Sequence, residues 1–251
     1  MRIPFFGRKK APDPQPAPQP NLQGHAHVLR RLRENEQAAP LERPQLVARI
    51  VFDFVYSVMA ESGRGARIED LVAILASVGG FTCILGPLQT LASEGKTPQE
   101  AGILEVETKD GNRYFFGDLP NAALWESPTA LLSLALGAAQ ACGGDVSANM
   151  VTDVMRRVAQ SVGSERFGIV EVPEAHRPMD LPSNLVRHFW PKIGEALDLY
   201  EVSPAQRPVA MGFALQTAIQ QGKKVIDPAL AARIAIECAV PMAKVDPAGF
   251  L

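Results

Sequence analysis

The feature that most limits the fold of this chain is a run of 22 residues, Leu71–Ala92, without a charged side chain. Such a segment either crosses a lipid bilayer or lies buried in a protein core. Gly79-Gly80 and Gly86-Pro87 interrupt it, and glycine and proline are the residues that most often end helices. The run also lacks the flanking aromatic anchors of a membrane span. The sequence therefore predicts two short buried helices, at 67–78 and 81–93.

The rest of the chain predicts a mainly α-helical protein. Residues 44–60 carry apolar side chains at positions i, i+1, i+4 and i+5, which places them on one face of a helix. Residues 147–162 and 183–200 also place their apolar side chains on one helix face. Three further helix starts are marked by a capping side chain followed by proline: Ser127-Pro128, Ser203-Pro204 and Asp227-Pro228. We expect about eight to nine helices in a bundle-like body.

The helical pattern is interrupted once, near the middle of the chain. Ile103–Thr108 alternates apolar and acidic side chains, and Arg113–Phe116 forms a second β-like run after Asp110-Gly111. Asp-Gly between two such runs is a strong hairpin signal, with positive φ expected at both turn residues. Because a lone hairpin is marginally stable in water, we expect Phe167–Val172 to add a third strand or helices to cover it. The predicted fold class is mainly α with one small inserted β-hairpin.

The first 40 residues differ in composition from the rest. Proline occupies every second position of residues 12–20, which favours an extended, solvated segment. Residues 22–39 are polar and show only a modest helical pattern, so the folded body is expected to begin near Leu41. The sequence predicts a disordered tail over 1–40 and a helical body over 41–251. A division of the body into lobes 41–120 and 127–251 is left open.

Charge is distributed unevenly along the chain. Residues 1–33 hold seven basic side chains and one acidic one, so they carry +6 and leave −8 for the remainder of a chain whose net charge is −2. A positive tail on an acidic body is typical of a tail that contacts an anionic surface. The negative body is an unlikely partner for nucleic acid on the same grounds.

The extreme N-terminus combines cations with apolar side chains. That combination gives weak, reversible attachment to anionic lipid. RNA or an acidic protein would also attract the cations, and a solubilising tail without a ligand is an equally open alternative. The aromatic pair favours a membrane surface, because a purely electrostatic contact gains little from aromatic rings. The residues expected to contact the anionic surface are Arg2, Phe5, Phe6, Arg8, Lys9 and Lys10.

The sequence contains no complete catalytic or metal-binding motif. Gly95-Lys96-Thr97 looks like the end of a phosphate-binding loop, but it lacks the earlier glycine and the preceding strand that this loop needs. Cys83, Cys142 and Cys238 lie in apolar helical patterns without neighbours at metal-ligand spacing. This pattern indicates buried reduced thiols and a cytoplasmic location, with peripheral attachment to a membrane left open. We expect neither a metal nor a cofactor.

One polar cluster is the best candidate for a functional site in the body. A loop over residues 174–180 and the helix that follows bring histidines and carboxylates close together in sequence, and a histidine beside carboxylates can act as a general base. No nucleophile or complete ligand set accompanies them, so an exposed loop with helix-capping residues is the favoured interpretation. The candidate residues are Glu174, His176, Asp180 and His188.

Two classes of function follow from these features. The first is an interaction or adaptor protein, whose body binds a protein partner while the basic tail contacts an anionic surface. The second is an enzyme or small-ligand-binding protein with its site around Glu174, His176, Asp180 and His188. A concave pocket that converges on those side chains would favour the second class, and an exposed apolar patch would favour the first.

Overall fold

A computed structural model of the chain describes residues 22–61 and 65–251. Over these residues it has nine α-helices, eight of them eleven residues or longer, and one two-stranded sheet, so the predicted fold class is confirmed. The helices are α1 Leu22–Asn35, α2 Glu42–Glu61, α3 Ile68–Ser93, α4 Asp118–Asn121, α5 Leu131–Ala141, α6 Ala148–Ser161, α7 Pro182–Leu199, α8 Arg207–Gly222 and α9 Pro228–Met242. The strands are β1 Leu104–Glu107 and β2 Arg113–Phe116. The predictions for residues 1–21, including the anionic-surface residues, lie outside the described residues.

Helix α3 is the centre of the fold. It packs against α2, α7, α8 and α9, and it runs without a break through Gly79-Gly80 and Pro87. The predicted division into two helices is therefore wrong. Within the described residues, α3 alone is long and apolar enough to cross a membrane, yet 89% of that apolar window is buried inside the protein. A helix that is apolar on all sides and covered by other helices is a core helix.

The glycines of α3 allow close helix packing instead of ending the helix. A Cβ atom at Gly80 would lie 2.7 Å from the Cα of Ala239 in α9, and one at Gly79 would lie 2.6 Å from Cδ1 of Leu131 in α5. Backbone atoms cannot move aside without separating the helices, so position 80 needs glycine wherever α3 and α9 stay in contact. The neighbour of Gly79 is the end of a flexible side chain, so the requirement there is weaker. Each glycine costs a helix only about 1 kcal/mol relative to alanine, which the burial of α3 outweighs.

Two buried hydroxyl groups of α3 are satisfied within the helix itself. The Ser77 hydroxyl donates to the carbonyl of Ala73 at 2.6 Å, and the Thr82 hydroxyl donates to the carbonyl of Gly79 at 2.7 Å. These hydrogen bonds remove the desolvation penalty that an unpaired hydroxyl would carry in the core.

The cysteines are free thiols, as the sequence predicts. Cys83 and Cys238 are buried, and burial raises the pKa of both thiols. The prediction of burial is wrong for Cys142, which is only half-buried where it follows the end of α5.

The predicted hairpin is present, but its turn differs from the prediction. Strands β1 and β2 pair antiparallel, with Leu104 opposite Phe116. Positive φ at both Asp110 and Gly111 was expected, whereas of the two only Gly111 has it, at 77°. The Gly111 N–H donates to the Thr108 carbonyl at 2.9 Å. The connection is therefore a longer loop built on a β-turn, in which glycine supplies the single left-handed residue.

The third strand predicted at Phe167–Val172 does not form. The segment after α9 covers the hairpin instead. The Phe115 N–H donates to the Lys244 carbonyl at 2.8 Å, and Tyr114 forms one isolated β-bridge with Val245. Phe167 contributes only its ring, which packs edge-on against Tyr114 with 4.8 Å between centroids. Tertiary contacts thus stabilise a hairpin that would be marginal alone.

The predicted helix starts are confirmed unevenly. Helix α9 begins at Pro228, and the Asp227 carboxylate accepts the Ala229 N–H at 2.8 Å, as an N-cap should. After Ser127 the chain makes a turn, and α5 begins only at Leu131. After Ser203 a short 3₁₀ turn over Pro204–Gln206 precedes α8.

Helix α1 occupies residues that the sequence predicts to be part of a disordered tail. Its residue Leu32 is only 2% exposed. Arg33 pairs with Glu201, which follows α7, and Glu36, just beyond α1, pairs with the buried Arg43 of α2 at 2.5 Å. The prediction for residues 22–35 is therefore wrong, because partners elsewhere in the chain hold this polar helix in place.

Removing α1 is expected to destabilise the body. A chain that starts at residue 41 should have a free energy of unfolding about 2 kcal/mol below that of a chain starting at residue 22, because it loses the burial of Leu32. It also leaves Arg43 without Glu36. Urea denaturation of the two truncations measures the difference. Coincident unfolding curves would show that α1 contributes nothing to the stability of the body.

Candidate functional site

A cleft of 930 Å³ opens where the end of α2, the start of α3 and α7 meet; we call it the α3–α7 cleft. Ligand pockets commonly have volumes of roughly 300–1,000 Å³. Buried side chains form its floor: Met59, Asp70, Leu185 and Phe189. Exposed side chains form its rim: Arg67, Met179, Asp180, Asn184, Arg187 and His188.

The helical repeat of α7 places polar and apolar side chains side by side in this cleft. Leu185 and Phe189 are four residues apart and face the core. Asn184 and His188, also four residues apart, form the adjacent exposed row. One helix therefore supplies both apolar floor and polar rim.

A buried carboxylate at the start of α3 holds the loop that precedes α7. Asp70 Oδ1 accepts the backbone N–H of Met179 at 2.7 Å, and its Oδ2 lies 3.7 Å from Nη1 of Arg67. Burial raises the pKa of Asp70, although the Met179 N–H and the Arg67 charge act in the opposite direction. The loop is fixed against α3 by a residue 109 positions earlier in the sequence.

A second pair fixes the same loop nearer its start. His176 Nδ1 lies 2.9 Å from Oε1 of Glu69, and Arg67 Nη2 donates to the carbonyl of Ala175 at 3.3 Å. Burial by itself would raise the pKa of Glu69. The hydrogen bonds from its own backbone N–H and from His176, together with the Arg67 charge, outweigh burial and hold this pKa below its usual value. The first turn of α3 thus anchors residues 175–179.

The four candidate residues from the sequence do not converge on one point. Asp180 and His188 lie on the rim of the cleft, whereas Glu174 and His176 are not among its lining residues. Glu174 is exposed and pairs with Arg177 at 3.2 Å. His176 points to Glu69 instead. The structure therefore brings two of the four side chains to a common cleft.

Asp180 and His188 differ in how they are held. One Asp180 oxygen accepts the Leu181 N–H at 2.7 Å and the Asn184 side-chain amide at 2.8 Å, so it organises the start of α7. The His188 ring packs edge-on against Phe189, with 4.8 Å between centroids. No hydrogen-bond partner of His188 is found over residues 22–61 and 65–251. Neither residue activates a nucleophile.

Sequence reasoning missed four charged residues of this region: Arg67, Glu69, Asp70 and Arg187. Glu69 and Asp70 are visible as acids in the first turn of an otherwise uncharged helix, which is a common helix-dipole arrangement. Nothing in the linear sequence pairs them with a loop more than a hundred residues away. Arg187 has no local signal, because exposed arginines are frequent on helices.

A second buried charge lies outside the cleft and is structural. Glu237 of α9 is 1% exposed and pairs with Arg157 of α6 and, at 2.6 Å, with Arg233. Arg157 also pairs with Glu171 at 3.2 Å. All four charges have opposite-charge partners, so the network joins α6 to α9.

No cluster of three or more histidine, cysteine or carboxylate side chains in the described part of the chain is placed to hold a metal ion. Comparisons of the chain with models of protein families, with curated proteins and with solved structures find no match in any of the three. The cleft is therefore interpreted from its own chemistry.

Proposed function

We propose that the helical body binds a small organic ligand in the α3–α7 cleft. The observation that supports this proposal is the arrangement of the cleft, in which an apolar floor of Met59, Leu185 and Phe189 lies beneath a polar rim. Small-ligand sites are typically concave and largely apolar, with a few polar groups that fix the orientation of the ligand.

We propose ligand binding and not catalysis, because the polar groups of the cleft lack a catalytic arrangement. Covalent or acid–base catalysis needs a nucleophile or base within hydrogen-bond reach of an orienting group. Asp180 already accepts two protein donors, and the ring of His188 packs edge-on against Phe189. These contacts organise the rim of the cleft and do not indicate a particular reaction.

The walls of the cleft also favour a site that exists before a ligand arrives. Helices α3 and α7 pack against each other, and the loop between α6 and α7 is fixed by Asp70 and Glu69. A preformed site avoids the loss of conformational entropy that ordering a loop would add to binding.

The test is a titration of the full chain with Nile red, a neutral dye whose fluorescence rises in apolar surroundings. We expect a saturable increase with one site per chain. Asn184→Trp places a large ring at the rim and should weaken the dye roughly tenfold or more, which corresponds to 1.4 kcal/mol or more.

The matched control is Lys192→Trp, on the same helix but outside the lining of the cleft. Its titration should follow that of the wild type. The proposal fails if Nile red does not saturate, or if the two tryptophan variants bind it equally well.

The adaptor role expected from the sequence stays a prediction. The tail residues on which its anionic contact depends lie outside the described residues. Exposed apolar side chains favour a protein partner, and two of them lie close together in sequence: Met179 on the rim of the cleft and Leu181 after it.

A further inference from the structure

We infer that the ligand of the α3–α7 cleft is an amphipathic monocarboxylate, that is, an apolar chain or ring system with one carboxylate that binds Arg187. The inference rests on the proposed ligand-binding function and names the chemical class of the ligand. The charged side chains that line the cleft support it.

Arg187 is a cation of the cleft with unused hydrogen-bonding capacity. Across residues 22–61 and 65–251, no carboxylate lies within 4.0 Å of its guanidinium. Its contacts are a long hydrogen bond from Nη1 to Asn184 Oδ1, at 3.4 Å, and the ring of Phe250. A guanidinium has five N–H donors, so most of them have no acceptor among the residues that the structure describes.

The other charged groups of the cleft are already engaged. Arg67 lies 3.7 Å from oxygens of both Glu69 and Asp70, which compensate its charge. Asp70 accepts the Met179 N–H, and Asp180 accepts the Leu181 N–H. A ligand therefore gains most by offering an acceptor with negative charge to Arg187.

The position of Arg187 suits a carboxylate in particular. Its guanidinium carbon lies 4.8 Å from the centre of the Phe250 ring, and this contact restrains its orientation. The outer N–H groups of a guanidinium match the two oxygens of a carboxylate in a bidentate pair. Such a pair fixes both the place and the direction of the ligand's charged end.

A single negative charge and an apolar remainder complete the description. Asp70 and Asp180 belong to the same lining and would repel a second anionic group. Arg187 is exposed, whereas Met59, Leu185 and Phe189 are buried. The carboxylate would therefore lie at the mouth of the cleft, with the apolar part of the ligand on the floor.

The test is displacement of Nile red from the full chain by decanoate, decanol and decylamine at neutral pH. These probes share one alkyl chain and differ in charge. We expect half-displacement by decanoate at a concentration roughly tenfold below that of decanol, and decylamine should be the weakest. In Arg187→Gln the decanoate-to-decanol ratio should fall to near one. Arg187→Lys should keep part of the preference for decanoate over decanol, because lysine retains the positive charge but lacks the paired N–H groups of the planar guanidinium.

Lys192→Gln removes an exposed cation of the same helix outside the cleft and should keep the wild-type ratio. Thermal unfolding of each variant confirms that it is folded. If Nile red binds as proposed but decanoate and decanol displace it equally, the carboxylate inference is overturned while the ligand-binding function stands. A preference that survives Arg187→Gln also overturns it. Failure of Nile red to bind would instead refute the proposed function.

Discussion

Gly80→Ala is expected to lower the free energy of unfolding by about 3 kcal/mol, at the upper end of what one added methyl group does in a packed core. The new Cβ would lie 2.7 Å from the Cα and 2.8 Å from the carbonyl carbon of Ala239. These are backbone atoms of a buried helix, so no side-chain rotation relieves the overlap. Helices α3 and α9 would have to separate, and both are central to the core.

The gain in helix propensity from Gly80→Ala is smaller than this loss of packing. Alanine favours a helix over glycine by about 1 kcal/mol, which does not offset the loss of packing between α3 and α9. Gly137→Ala isolates this term, because Gly137 lies in α5 with no atom within 4 Å of an added Cβ. It should stabilise the protein by about 0.5–1 kcal/mol.

Urea denaturation of the wild type and both variants measures the two effects with opposite signs. If Gly80→Ala proved as stable as Gly137→Ala, the result would show that α3 and α9 do not contact each other closely at Gly80. A helix end at Gly79-Gly80, as the sequence predicts, would then be the better description.

Lys244→Met is expected to stabilise the protein at pH 7, by an amount that disappears as the pH rises. Lys244 is 3% exposed, and its amine donates to Asn121 Oδ1 at 2.7 Å. No carboxylate within the described residues lies within 4.0 Å of this amine. Burial lowers the pKa of Lys244 from 10.5 to about 8, although Cys83 and Glu126 act in the opposite direction.

The sign of the pH dependence follows from these two pKa values. Between pH 8 and 10.5 the unfolded chain binds more protons at Lys244 than the folded chain does, so this group makes the wild type more stable as the pH rises. The full difference corresponds to about 3 kcal/mol. Methionine removes the buried charge and loses one hydrogen bond worth about 1 kcal/mol, so the variant should gain about 2 kcal/mol at pH 7.

The measurement is the difference in free energy of unfolding between Lys244→Met and the wild type, from urea denaturation at several pH values between about 7 and 10. Cys83 and Cys238 have raised pKa values, so they reduce stability above the ordinary thiol pKa of 9. The Cys238 contribution is common to both proteins and cancels in the difference, whereas that of Cys83 changes with Lys244, because the two groups interact. Lys192→Met, at an exposed position, controls for the loss of a positive charge. A difference that did not change with pH would show that the Lys244 amine remains hydrated.

The mainly α fold with one hairpin was predictable because both features have a local cause. Apolar side chains at helical spacing favour a helix over residues 44–60 whatever the helix packs against. The structure has α2 over Glu42–Glu61. The Asp110-Gly111 signal located the hairpin for a similar reason, since glycine tolerates the left-handed residue of its turn. The burial of most of Leu71–Ala92 followed from the absence of charge, because water does not stabilise such a surface.

The candidate site was only partly predictable, because its residues meet through contacts that the sequence does not order. Asp180 and His188 were recognised as polar residues near one another on the chain. Asp70 and Arg67 meet the same loop from the start of α3, more than a hundred residues away. No spacing rule covers such a distance.

The sequence alone predicted most of the helical segments, the position of the hairpin and the burial of most of Leu71–Ala92. Contacts between distant parts of the chain account for the continuity of α3, for the helix α1 and for the α3–α7 cleft. The free energy of local helix preference is smaller than that of burial in the core. A glycine changes helix stability by about 1 kcal/mol, whereas burial of a large apolar side chain contributes about 1.5–3 kcal/mol. Summed over a core helix, burial overrides the local preference, and the partners that supply it come from distant parts of the chain.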